Sequence, residues 1–183
     1  MTKILGFAGS LRKDSYNRAL LRAACKLAAA EGLELENFEI EGIPLYNQDD
    51  EGALPPIVRD FKTKIEQADA VLLVTPEFNY SVSGVLKNAI DWASRPYGAN
   101  SFEEKPVAIM GATVGTFGTA RAQYHLRQML VYLNAYPLNR PEVMVSSAAD
   151  KFKDGELTDE HTRQKVREQL IALVAWAKRL HPA

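Results

Sequence analysis

Apolar positions along the chain fall into two kinds of run. Short, continuously hydrophobic stretches occupy residues 3–9, 69–75 and 106–111, each ending at or beside a glycine or proline. Runs of that length, apolar throughout, mark strands covered on both faces of a parallel sheet. Between them, apolar residues recur every three or four positions. Leu20, Ala23, Ala24 and Leu27 do so within residues 16–31; Val58, Phe61 and Ile65 within 55–68. Val82, Leu86, Ala89, Ile90 and Ala93 follow within 82–93, and Ala122, Leu126, Met129, Leu130 and Leu133 within 119–133. Val166, Leu170, Leu173, Val174 and Ala177 close the series within 158–180. This spacing predicts five helices, each with one buried face. A half-wet strand over residues 33–40 and a short one at 143–145 raise the strands to five. Gly32 ends the first helix, residues 42–56 are rich in turn formers, and Lys151-Phe152-Lys153-Asp154 reads as a solvated loop.

Strands that alternate with helices predict an α/β fold, a doubly wound five-stranded parallel sheet with helices on both faces. No shift in composition divides residues 1–183, so one domain is expected. Open sheets of this kind bind ligands beyond the carboxyl ends of their strands, where the strand order reverses. The loops after the first, third and fourth strands are therefore the places to look for chemistry.

Charge narrows the partners. Lysine and arginine number 22, and aspartate and glutamate 23, for a formal balance of −1. So even a balance argues against a surface built chiefly for nucleic acid, and equally against a strongly acidic docking face. Apolar runs are too short to cross a bilayer, and the N-terminal run lacks the pattern of an export signal, so no membrane association is expected. Cys25 is the single cysteine. It allows no internal disulfide or iron–sulfur cluster and fits a reducing, cytoplasmic setting. Three scattered histidines give no metal-ligand spacing. Ser10 lacks the Gly-x-Ser-x-Gly context of a hydrolase nucleophile.

The loop after the first strand, residues 9–18, carries hydroxyls at Ser10 and Ser15, an amide at Asn17, and cations at Arg12, Lys13 and Arg18. Hydroxyl donors and free N–H groups at a helix start favour an anion. The loop has neither the Gly-Lys-Ser/Thr ending of a Walker A loop nor Gly-x-Gly-x-x-Gly, so a phosphate monoester fits better than a nucleoside triphosphate. The plainer alternative is that Ser15 only caps the helix. After the third strand, Phe78 and Tyr80 offer flat faces beside the carboxamide of Asn79, a mixture suited to a planar polar heteroaromatic ligand. The plainer alternative there is core packing. After the fourth strand, Gly111, Gly115 and Gly118 allow close backbone approach, and Thr119 could cap an ordinary turn.

Residues 76–92, Pro-Glu-Phe-Asn-Tyr-Ser-Val-Ser-Gly-Val-Leu-Lys-Asn-Ala-Ile-Asp-Trp, resemble the signature of NAD(P)H-dependent FMN reductases, which include bacterial quinone, chromate and azo-dye reductases. Gly9-Ser10-Leu11-Arg12-x-x-Ser15-x-Asn17 resembles the phosphate loop of the same family. The resemblance implies a flavodoxin-like fold and FMN, with NADPH or NADH as electron donor. It implies phosphate contacts at Ser10, Arg12, Ser15 and Asn17. Flavin-ring contacts fall on Pro76, Glu77, Phe78, Asn79 and Tyr80, largely through backbone, and on the loop bearing Gly111, Thr113 and Gly115. Phe78 stands where the family often has tyrosine, so a hydroxyl is missing. Small acceptors are implied: quinones, chromate, azo compounds or free flavins. No protein acid or base is required, and no catalytic residue is assigned. A flavodoxin-type electron carrier is the alternative, although such carriers need a strongly acidic face and the formal charge here is only −1. Relatives imply a homodimer or homotetramer, to which the helix from Arg121 through Tyr124 to Tyr132, with Tyr136, would lend polar aromatics.

Overall fold

The computed structural model describes residues 2–182. The elements run β1 (Lys3–Ala8), α1 (Tyr16–Ala30), β2 (Glu34–Asn37), a 3-10 turn (Gln48–Ala53), α2 (Pro56–Gln67), β3 (Ala70–Val74), α3 (Gly84–Ala93), β4 (Pro106–Ala112) and α4 (Ala120–Tyr132). There follow β5 (Tyr136–Pro137), β6 (Val143–Val145), α5 (Ala148–Lys151), β7 (Phe152–Lys153), β8 (Glu156–Leu157) and α6 (Glu160–Leu180). The sheet is parallel, in the order β2-β1-β3-β4-β5, and β6 also pairs with β4. This is the flavodoxin-like arrangement expected.

Alternation along the strands builds a core on each face. Ile4, Ala8, Leu72, Val74, Ala108 and Met110 face one way, against α1 and α6. Leu5, Phe7, Val71, Leu73, Val107 and Ile109 face the other, against α2, α3 and α4. The helix periodicity holds with boundaries moved by one or two residues.

Three expectations need correction. The strand over 33–40 is shorter, Glu34–Asn37, and mostly exposed, because it is the sheet edge. The fifth strand position is shared: Tyr136–Pro137 pairs with the start of β4 and Val143–Val145 with its end. A chain passing through Pro137 and Pro141 cannot donate a continuous ladder, so the pairing is interrupted. Residues 151–154 are not simply a solvated loop. Phe152–Lys153 pairs antiparallel with Glu156–Leu157, and Phe152 and Leu157 are buried. Asp154 (φ 50°) and Gly155 (φ 77°) supply the positive angles that a two-residue hairpin turn demands.

Order reverses at β1. The chain goes from β1 to β2 on one side and then crosses to β3 on the other. The crevice at the carboxyl ends of β1 and β3 is thus the expected ligand position. No helix among the described residues is long and apolar enough to cross a membrane.

Candidate functional site

Two loops meet at this crevice and are tied together. The Gly9 N–H donates to the Val74 carbonyl at 2.8 Å, and the Ser83 hydroxyl donates to the Gly9 carbonyl at 2.6 Å. Ser83 also caps α3, accepting from the Leu86 N–H at 3.3 Å. One buried hydroxyl therefore sets the start of α3 against the start of the first loop.

In that first loop Ser15 is buried and caps α1, its oxygen accepting from the N–H groups of Asn17 (3.2 Å) and Arg18 (3.4 Å). The hydroxyl hydrogen remains to be donated. Ser10 accepts from the Arg12 N–H at 3.4 Å, which curls the loop toward the helix start. The Arg12 guanidinium has no carboxylate partner among the described residues and lies 5.7 Å from the centre of the Tyr16 ring. Arg18, by contrast, pairs with Glu39 at 3.1 Å. Asn17 is spent elsewhere. Its Nδ2 donates to the Ala112 carbonyl at 3.0 Å, and its Oδ1 accepts from the Ala112 N–H at 2.8 Å. The carboxamide pins the start of α1 to the end of β4, leaving one amide hydrogen.

Beyond β3, Thr75 and Pro76 are buried and the chain then turns outward. Phe78 and Ser81 exchange two backbone hydrogen bonds of 2.9 Å. Asn79 (φ 49°) and Tyr80 (φ 66°) fill the turn between them, both in the left-handed region. Asparagine tolerates that region, whereas tyrosine seldom occupies it, so the tight bridge enforces the geometry. The turn drives the rings away from the core: Phe78 is 58% exposed and Tyr80 67%. Core packing of these two residues is therefore excluded.

Glu77 behaves differently from its neighbours. Its carboxylate accepts from the N–H groups of Arg121 (3.1 Å) and Ala122 (3.3 Å) and pairs with the Arg121 guanidinium. A carboxylate at a helix start satisfies orphan donors and matches the positive end of the dipole. Glu77 thus caps α4 from another loop. Thr119, the residue placed to do so by sequence, is left-handed (φ 66°) and makes no cap hydrogen bond. Its oxygen accepts from Gln123 Nε2 at 3.1 Å instead.

The third loop completes the rim. Gly111 is buried; a Cβ there would collide with the Thr75 carbonyl and the Thr119 hydroxyl, so close packing accounts for the glycine. Thr113 accepts from the Gly115 N–H at 3.2 Å, and Gly115 is exposed. Phe117 is 63% exposed. The Arg121 guanidinium lies 3.8 Å from the Tyr80 ring centre and 4.6 Å from that of Phe117. Such contacts let one cation organise two rings from separate loops. Phe117 and Arg121 escaped the sequence-level site; an apolar aromatic inside a glycine-rich loop was the available signal. At the same rim His125 Nδ1 lies 3.0 Å from the Ser81 hydroxyl.

The sequence matches the family model for NADPH-dependent FMN reductase over residues 2–150. It is 54% identical to an NAD(P)H-dependent FMN reductase of Pseudomonas aeruginosa, covering 97% of this chain and 96% of that one. It is 46% identical to an NAD(P)H:quinone oxidoreductase of Solanum tuberosum, covering 97% and 94%. Among solved structures, FerB, a flavoenzyme NAD(P)H:(acceptor) oxidoreductase of Paracoccus denitrificans, superposes with a TM-score of 0.89 at 38% identity, over 98% of each chain.

Proposed function

This chain belongs to the NADPH-dependent FMN reductase family, with FMN as cofactor and NAD(P)H as electron donor, and we propose that it reduces quinones at the crevice described above. What carries the reading is the juxtaposition there of an unpaired Arg12, a buried Ser15 with a hydrogen to donate, and three exposed rings. The donor set fits the group. A phosphate dianion needs charge-assisted donors, which Arg12, Ser10 and Ser15 supply, and a planar ring system needs flat walls, which Phe78, Tyr80 and Phe117 supply.

Ser10, Arg12 and Ser15 would hold the phosphate. Asn17 sets the position of that loop through Ala112 and has one amide hydrogen left for the ligand. The backbone of Pro76, Glu77, Phe78, Asn79 and Tyr80 and the segment with Gly111, Thr113 and Gly115 would hold the ring system. When bound, FMN supplies hydride acceptance from NAD(P)H and delivery of the electrons to an acceptor. The protein's part is to orient both reactants and to place backbone dipoles where charge develops. No side chain need carry a proton in this scheme, so none is called catalytic.

Exposure of the rings leaves the face open to flat acceptors of differing size. Quinones come first, as in the potato relative's name; azo compounds, chromate and free flavins fit the same open face. Exposed Tyr124, Val131 and Tyr132 on α4 support assembly as a homodimer or homotetramer. A single domain over residues 1–183 and a cytoplasmic setting complete the reading. The test is NADPH oxidation by the FMN-saturated protein with a benzoquinone. Turnover is expected, and its absence with every quinone tried overturns the proposal.

A further inference from the structure

A cleft of about 380 Å³ leaves the phosphate loop and follows the side of α1 to the β7–β8 hairpin. That volume lies within the range of small-ligand sites. Its floor is aromatic. Tyr16 and Phe152 stand with ring centres 5.3 Å apart, inclined at 51°. Arg12 and Arg22 supply cations, and Asp14 and Asp154 acceptors. Neither arginine has a carboxylate ion-pair partner among the described residues. Arg22 makes one bond, from Nη2 to the Gly155 carbonyl at 3.3 Å. A guanidinium has five N–H donors, so most of its capacity is unused.

The far wall is held in place. Lys26 pairs with Glu156 at 2.7 Å and Arg22 reaches Gly155, both anchoring the hairpin to α1. Burial of Phe152 and Leu157 fixes its inner face. A larger cleft, about 560 Å³, lies at the other end of the sheet, but its Lys105 is already bonded to the Glu66 and Ala68 carbonyls. The smaller cleft keeps its cations available.

We propose that this cleft binds the adenosine diphosphate part of a dinucleotide. Arg22 takes the pyrophosphate, joined by Arg12 only where no separate FMN phosphate engages it; the Tyr16–Phe152 floor takes the adenine, and Asp14 or Asp154 accepts from ribose hydroxyls or the adenine amine. The proposal rests on the FMN reading in one respect, that Arg12 and the first loop hold a flavin phosphate at the mouth of the cleft. The same chemistry has two sources, the distal half of NAD(P)H beside bound FMN, or FAD in place of FMN.

Calorimetric titration of ADP into the FMN-loaded and FMN-free protein tests this. Binding to the loaded protein identifies the nicotinamide dinucleotide as the source. Binding to the free protein that FMN abolishes identifies FAD. In either case Arg22→Ala and Arg22→Glu weaken ADP by about tenfold or more, since a charge-assisted bond is lost. The Glu variant is the more severe. Circular dichroism melts establish that both variants fold. Absence of ADP binding to both forms at millimolar concentration overturns the proposal, as does unchanged ADP affinity in both folded variants. Flavin absorbance of the same samples reports FMN retention independently. A protein that binds ADP but no FMN sinks the flavin assignment and leaves this cleft standing.

Discussion

The hydroxyl oxygen of Ser15 caps α1, and in the proposed site its hydrogen would be donated to the flavin phosphate. Ser15→Asp separates the two roles. Aspartate remains a good N-cap and suits the helix dipole, so thermal stability of the FMN-free protein should stay within a few degrees of the parent. The donor is gone, however, and a negative charge faces the phosphate. FMN retention, measured by equilibrium dialysis, should fall by at least about tenfold, the loss expected for one charge-assisted hydrogen bond. Unchanged affinity would place the phosphate elsewhere. Asn17→Ala probes the opposite kind of residue. It leaves the buried N–H and carbonyl of Ala112 without their partners, at about 1–3 kcal/mol for each orphaned group. Urea unfolding should show that loss with FMN absent; no loss would mean the staple is dispensable. Local sequence showed that residues 9–18 were polar and anion-suited, but not that Asn17 is consumed by a residue 95 positions away. The partner of Glu77 was hidden in the same way, Arg121 being 44 positions on. A side chain's type is local information, whereas its partner is fixed only when the strands assemble.

Elements were more legible than partners. The buried strands β1, β3 and β4 and all five long helices follow from periodicity, because burial on two faces or one imposes the pattern directly. The failures lie where the pattern is too short to carry a period. The missed strand, β5, has two residues, and only its pairing with the start of β4 defines it as a strand, whereas β6 lies at Val143–Val145 as expected. The β7–β8 hairpin did carry a signal, Asp154-Gly155 with apolar Phe152 and Leu157 one position beyond its charged neighbours. Helix ends offer a test at this scale. Asp159 caps α6, its Oδ2 accepting from the Thr162 N–H at 2.7 Å. Hydrogen bonds from Thr162 hold its carboxyl below the usual carboxylate range. A carboxylate depressed on folding contributes stability above its unfolded pKa, and that contribution is lost as pH falls through the folded one. Asp159→Ala should therefore cost about 1 kcal/mol at neutral pH. The gap between parent and variant should close in acid. A gap that persists once the parent's Asp159 carboxyl is protonated would show that the side chain acts by packing, not by its charge.

At the scale of the whole molecule, the question is whether the two cores are one cooperative unit. They share the sheet residue by residue: Leu72 and Leu73 are neighbours in β3, both fully buried, and they enter opposite layers. Neither layer can lose its strands without stripping the other, so the two should unfold together even though each has its own helices. The two tryptophans report the layers separately. Trp92 is buried in α3, and Trp176 lies in α6 on the other side, its Nε1 donating to the Tyr136 carbonyl at 3.1 Å. Trp176→Phe leaves fluorescence to report the α3 layer, and Trp92→Phe leaves it to report the α6 layer. In each variant, fluorescence and far-ultraviolet circular dichroism should give one urea midpoint, provided FMN is held either absent or saturating so that ligand linkage does not shift it. Leu72→Ala and Leu73→Ala should each cost about 2–5 kcal/mol, as large-to-small changes in a packed core do. Each should move both fluorescence reporters equally, whichever layer lost the side chain. If Leu72→Ala shifts the Trp176 signal while leaving that of Trp92 in place, the sheet does not couple its faces, and the chain behaves as two layers that melt separately.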